Sequence, residues 1–150
     1  MFKRMTLAAA VTLAAMPVFA DQHSHGAASD GRTPAPEGAA VYIIAPESGA
    51  TVSNPVTIRF GASGIGVAPA GVDVPGTGHH HLLINVDPAQ VDLNMALPAD
   101  DQHRHFGGGQ TEVTLDLPAG THNLMLLMGD QFHVPHEPAI MSEIVTITVE

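Results

Sequence analysis

The stretch TEVTLDLPAGTHNLMLLMGD, residues 111–130, decides the fold class of this chain. Its two halves, residues 111–117 and 121–130, have the pattern of short β-strands. The connection between them, PAG at 118–120, is a tight turn. This arrangement predicts two antiparallel strands that form a hairpin.

Short strands with turn residues between them also occupy the rest of the chain from residue 40 onward, and no window has a helical period. The remaining expected strands are residues 40–45, 55–62, 80–86 and 142–149. Six or seven short strands at this spacing predict an all-β fold, an antiparallel immunoglobulin-like β-sandwich of about 7 strands. The sandwich domain should cover residues 40–150.

The first twenty residues, MFKRMTLAAAVTLAAMPVFA, are typical of a secretory signal peptide that is cleaved after Ala20. Residues 21–39 are rich in Gly, Ala, Ser and Pro and lack periodicity, which predicts a flexible N-terminal arm. No later stretch is long and apolar enough to suggest a membrane span. We therefore expect an exported protein.

The charge balance limits the classes of partner. Without residues 1–20, three basic residues face fifteen acidic ones, which gives a formal charge of −12. A chain this acidic is a poor candidate for binding nucleic acid or anionic lipid, whereas cations are natural partners. The chain has no cysteine, so disulfides and thiolate metal sites are excluded.

Ten histidines in a chain with only five Lys and Arg are an unusual balance. If residues 111–130 form a hairpin, the segments before and after it lie at one end of the domain. In an immunoglobulin-like order, the strand at 80–86 begins at the same end. His122 is beside the PAG turn, at the far end, where we expect a structural role.

Neutral imidazole is a good ligand for copper, zinc and nickel, and a histidine site needs no cysteine. The histidines expected at the shared end are the candidate metal ligands: His79, His81, His103, His105, His133 and His136. His80 falls on the strand face of Leu82 and Ile84 and should pack at the edge of the core. Glu112 and Asp130 are nearby carboxylates that could ligate a metal or orient a ring.

A second metal site is predicted at the new N-terminus. Cleavage after Ala20 leaves Asp21-Gln22-His23 as the first residues. The free amine, two backbone amides and the His23 imidazole then supply four nitrogens in a plane, which suits Cu(II) and Ni(II). His25 would be an accessory ligand. This site depends on cleavage at that one bond.

Three motifs resemble a known family: GHHHLLINVD, ADDQHRHFGGGQTEVTLDLPAGTHNLMLLMGD and FHVPHEPAIMSE. With the opening VYIIAPESGATVSNPV, they are similar to the exported bacterial family called domain of unknown function 4399, over about residues 40–150. The resemblance implies a small periplasmic domain but no activity. The opening also resembles bacterial immunoglobulin-like domains, which agrees with the sandwich.

The leading hypothesis is a periplasmic, histidine-rich metal-binding protein that acts as a chaperone, buffer or delivery module. Cu(II) is the favoured divalent metal, with zinc or nickel as alternatives, and another periplasmic protein is an expected partner. One alternative is a non-catalytic structural or interaction module with hydrogen-bonded histidines. Another is a cupin-like metalloenzyme, in which His122 would join His103 and His105 as a ligand.

Overall fold

The structure, a computed structural model, describes residues 31–150 and is all-β. Its nine strands are β1 (Ala40–Ala45), β2 (Thr51–Val52), β3 (Val56–Ser63), β4 (Gly66–Val67), β5 (Thr77–Ile84), β6 (His103–His105), β7 (Glu112–Leu115), β8 (Gly120–Gly129) and β9 (Val145–Val149). A 3-10 turn at Pro88–Gln90 is the one helical element of the described residues. None of these residues belongs to a helix long and apolar enough to cross a membrane.

The strands form two sheets. β1, β3 and β7 make a three-stranded sheet in the order β1-β3-β7. The larger sheet has the order β2-β9-β8-β5-β4, with β6 also paired to β5. The pairings are antiparallel except at the two-residue strands β2 and β4, which run parallel to β9 and β5. The predicted antiparallel, immunoglobulin-like sandwich is confirmed.

The core between the sheets follows from the two-residue period of the strands. β3 contributes Ile58 and Phe60, and the larger sheet contributes Leu82, Leu126 and Ile147, all buried. A second apolar cluster lies on the outer face of the larger sheet, where Leu83, Met125 and Leu127 pack with Leu97. Because β5 is covered on both faces, a polar side chain there is buried whichever way it points.

The predicted hairpin at residues 111–130 is wrong in one respect. β7 pairs with β3, whereas β8 pairs with β5 and β9, so the connection crosses from one sheet to the other. Asn54 stabilises the crossing, because its side-chain amide accepts from Leu117 N at 3.0 Å and donates to Leu117 O at 2.6 Å. The chain still reverses direction, and the segments flanking 111–130 still lie at the end opposite PAG.

The segment expected to be a flexible arm is corrected for its described part. Pro34 bridges to Glu137, Ala35 N donates to Glu137 O at 2.8 Å, and Glu137 N donates to Thr33 O at 2.9 Å. Backbone hydrogen bonds and a buried Arg32 therefore hold this part to the domain, although its sequence has no strand period. Residues 1–30, with the expected signal peptide and the candidate site at Asp21, Gln22 and His23, lie outside the described residues.

Candidate metal centre

Three elements bring histidines together on the outer face of the larger sheet. Alternation along β5 directs His79 and His81 to that face. In the β5–β6 register, His105 lies opposite His81. In the β5–β8 register, Gly129 lies opposite His79, and the loop that follows β8 carries His133. These four residues, His79, His81, His105 and His133, are called the histidine cluster below.

The four imidazoles of the histidine cluster converge. Each ring offers a nitrogen, and these four nitrogens lie within 4.8 Å of one another. Ring centroids are separated by 4.6 Å for the closest pair, His105 and His133, and by 6.0 Å for the most distant, His81 and His133. With metal–nitrogen bonds of about 2.0–2.1 Å, ligand nitrogens are about 3.3–3.4 Å apart in a tetrahedral site and about 2.8–4.2 Å apart in a square-planar one. The four nitrogens of the cluster, all within 4.8 Å of one another, are close to these spacings.

Two glycines make room for the rings. A Cβ atom added at Gly129 would lie 2.6 Å from His81 Cε1, and one added at Gly107 would lie 2.5 Å from His105 Nε2. Any larger residue would therefore displace an imidazole. Neither Gly107 nor Gly129 is recognisable from the sequence as part of the site.

His133 is held in an unusual backbone conformation. Its φ of 69° lies in the left-handed region, which costs a non-glycine residue about 1–2 kcal/mol. Asp130 stabilises the turn: its Oδ1 accepts from the backbone N–H groups of Phe132 and Val134, and its backbone O accepts from His133 N at 3.0 Å. Leu97 N also donates to His133 O at 2.9 Å. Asp130 thus orients the loop rather than joining the cluster.

Three rings of the cluster have pKa values lowered in favour of the neutral form. Burial lowers the pKa of His81 to about 3 and that of His79 to about 4, and repulsion from neighbouring imidazoles adds to both shifts. Burial, followed by the charge of His133, also lowers the pKa of His105. Asp130 opposes the shift at His79 only in part. At neutral pH these three rings therefore have a free lone pair, as metal ligation requires.

Buried ring nitrogens of the cluster lack protein partners. His79 Nε2 is 3.1 Å from His133 Nδ1, but His79 Nδ1 and both nitrogens of His81 have no hydrogen-bond partner among the described residues. An unsatisfied buried polar group costs about 1–3 kcal/mol. A bound metal ion would remove part of this cost, because it would give a nitrogen of each ring a partner. His105 is exposed and His133 partly exposed, so the cluster opens to solvent on their side.

A comparison with protein families finds a match over residues 58–150 to the family described as domain of unknown function (DUF4399). The chain belongs to this family. No curated protein and no solved structure matches it. All four residues of the histidine cluster lie within the DUF4399 match, whereas residues 31–57 precede it.

Two of the six histidines predicted as ligands lie outside the cluster of this DUF4399 domain. His103 is opposite Leu83 in the β5–β6 register, and its Nδ1 donates to Asp100 Oδ1 at 2.9 Å. His136 is fully buried, and its Nε2 donates to Thr77 O at 3.3 Å. The six candidates left open whether there are one or two sites, and the structure brings four of them together without His103 and His136.

The other candidates are also placed elsewhere in the DUF4399 fold. His80 points into the core, 5.3 Å from the Phe60 ring, and burial lowers its pKa to about 4. Glu112 lies in the other sheet, exposed and paired with Arg59 at 3.0 Å. Neither residue reaches the histidine cluster.

The position of His122 bears on the cupin alternative. It is on the inner face of β8, five residues from the Leu127 that faces His81, which is about 17 Å along a strand. Its Nε2 donates to Pro118 O at 2.7 Å, and its Nδ1 accepts from Asn85 at 3.0 Å. His122 therefore caps the far end of the sandwich and does not join His105, as a cupin-like site would require.

Proposed function

We propose that this domain binds one divalent transition metal ion at the histidine cluster. The observation that carries the proposal is the convergence of four imidazoles within 4.8 Å, with unpartnered nitrogens buried among them. Buried ring nitrogens of structural histidines are usually hydrogen-bonded. Three of the four nitrogens of His79 and His81 are unpaired in the described part of the chain, but so are both nitrogens of His80 in the core. The convergence of four rings, which His80 does not share, is therefore what disfavours the structural alternative.

Copper(II) is the metal that we favour, with zinc and nickel as alternatives. Among divalent first-row metals, nitrogen sites bind Cu²⁺ most strongly. The cluster offers only imidazole nitrogens and no sulfur, which suits Cu²⁺ better than Cu⁺. The strongly acidic surface adds a long-range attraction for any cation. In this proposal the metal ion is what the protein binds and carries, and it takes part in no reaction.

The role that we propose is that of a periplasmic chaperone, buffer or delivery module. Two of the ligands are buried, whereas His105 is exposed, so an incoming ligand could replace His105 first. Phe132, next to His133, leaves 69% of its surface exposed and is an apolar anchor beside the opening for a second periplasmic protein. Export through residues 1–20 would place the domain in that compartment.

The direct test is titration of the metal-free, exported protein with Cu(II), Zn(II) and Ni(II). His105→Ala should weaken binding at the cluster at least tenfold. His103→Ala is the matched control, because His103 lies two residues away on the same strand but bonds to Asp100. Equal effects of the two substitutions, or no binding tighter than about micromolar in the wild type, would reject the proposal.

Metal should also stabilise the fold. A free metal concentration of 100 times Kd adds about 2.7 kcal/mol to the free energy of unfolding. A melting temperature that neither chelator nor added metal changes would favour a structural module instead.

The predicted site at Asp21, Gln22 and His23 needs its own test. It requires mass spectrometry to show that the exported chain begins at Asp21. In that case His23→Ala should remove a second Cu(II) equivalent without changing the affinity of the histidine cluster.

A further inference from the structure

The segment that precedes the sandwich is joined to the loop that carries His133. Residues 32–35, called the strap here, run parallel to the segment at Glu137 through the Pro34–Glu137 bridge. Two backbone hydrogen bonds, Ala35 N to Glu137 O and Glu137 N to Thr33 O, fix this register. The strap lies outside the residues matched by the family.

Arg32 holds the far end of the His133 loop. Its side chain is 8% exposed, and its guanidinium donates to His136 O and pairs with the Glu137 carboxylate. Separating a buried guanidinium from these partners would leave an unpaired buried charge, so Arg32 is held beside the loop. In a segment that is only loosely attached to the domain, an arginine would instead point its charge into solvent.

Thr33 holds the near end of the same loop. Its hydroxyl donates to Asp130 Oδ2 at 2.6 Å. The other oxygen of Asp130 accepts from Phe132 N and Val134 N, on either side of His133. The strap therefore contacts the loop both before and after His133.

His133 requires such support, because its left-handed φ of 69° is unfavourable for a histidine. We infer that the strap positions His133 for metal binding, with Arg32 and Thr33 as positioning residues. This inference rests on the proposed function of the histidine cluster. Loss of the strap would let residues 131–136 relax and move one imidazole away from the other three.

The test is a double-mutant cycle between the strap and His133, read out as Cu(II) affinity. Arg32→Ala should weaken binding at least tenfold in the wild-type background. In a His133→Ala background the same substitution should change the affinity less than twofold, because the ligand that it positions is already gone. A general loss of stability would weaken binding equally in both backgrounds, and that result would overturn the inference.

Two further variants protect the test against a misfolded protein. Thr33→Val removes one hydrogen bond and keeps the shape, so it should reproduce a smaller loss with the same dependence on His133. Arg59→Ala is the matched control, since Arg59 forms an exposed pair with Glu112 on the other sheet. It should leave Cu(II) affinity unchanged.

Amide hydrogen exchange tests the strap without any metal. In the metal-free protein, Arg32→Ala should speed exchange at Val134 and Glu137 at least tenfold, whereas Arg59→Ala should not. Failure of the wild type to bind metal would end the proposed function but would leave this result standing. Unchanged exchange in Arg32→Ala would overturn the positioning role.

Discussion

Gly107→Ala should disable His105 as a ligand while leaving the sandwich intact. The new Cβ would lie 2.5 Å from His105 Nε2, about 0.9 Å inside ordinary van der Waals contact at 3.4 Å. Metal–nitrogen distances tolerate about ±0.2 Å, so the ring must leave a position from which it can bind. Loss of one ligand of four should weaken metal binding at least tenfold, or about 1.4 kcal/mol. Because His105 is exposed, its ring can rotate away at a cost of about 0.5–1.5 kcal/mol.

Gly108→Ala is a matched control for this prediction. Neither glycine has a positive φ, and the nearest atoms to a Cβ added at 108 belong to the end of the Gln110 side chain, with Nε2 at 3.0 Å. Both variants should unfold within about 1.5 kcal/mol of the wild type in urea. Competition titration with Cu(II) should separate them, with Gly107→Ala weakened and Gly108→Ala unchanged. Wild-type affinity in Gly107→Ala, or an equal loss in both, would refute the packing argument.

Three further predictions concern stability. Gly129→Ala should lower the free energy of unfolding by about 1–3 kcal/mol and weaken metal binding, because its Cβ would lie 2.6 Å from the buried His81 ring; wild-type melting would contradict it. His133→Gly and His133→Ala should both lose metal affinity. Without metal, the glycine variant should be about 1 kcal/mol more stable in urea than the alanine variant, because φ at this position is 69°. Equal stability of the two variants would argue against strain at His133. The pKa values of His79 and His81 are lowered to about 4 and about 3 from 6.5, so the unfolded chain binds more protons between pH 6.5 and pH 4. Metal-free stability should therefore be greatest above pH 6.5 and fall by up to about 1.4 kcal/mol per pH unit for each of these histidines as the pH drops, and urea curves that coincide at pH 7 and pH 5 would contradict this.

Local patterns predicted the longer strands but not the short strands β2, β4 and β6, and not the partners of any strand. Alternation and turn residues located β1, β3, β5, β7 and β8 to within a few residues. A tight turn such as PAG suits a hairpin and a crossing between sheets equally well. Whether the chain forms a hairpin or crosses to the other sheet depends on contacts distant in sequence. Examples are the hydrogen bond from Asn54 to Leu117 O and the pairing of β7 with β3. Local periodicity does not encode such contacts.

The candidate site was predicted only in part, because local patterns place histidines along each strand but do not show which strands are neighbours. Alternation correctly divided His79 and His81 from His80, and chain reversal placed the later histidines at the same end. His103 and His105 are two residues apart on one strand, and only the register of β6 against β5 decides which of them lies opposite His81. Asp100, three residues before His103, was the available sign that a turn would capture that ring.

The strap was not predicted, because its residues lack the periodicity on which strand prediction depends. Segments without a regular pattern can still be fixed by specific hydrogen bonds. Here a buried Arg32 and the hydroxyl of Thr33 supply them. The sequence alone does not indicate that an arginine or a threonine will have a buried partner.

The most direct test of the central claim is a crystal structure of the copper-loaded protein with an anomalous difference map at the copper edge. The account predicts one peak on the outer face of β5, about 2.0–2.1 Å from a nitrogen of each residue of the histidine cluster. A copper peak ligated by His103 or His136 instead, or no ordered copper near His79 and His81, would contradict it.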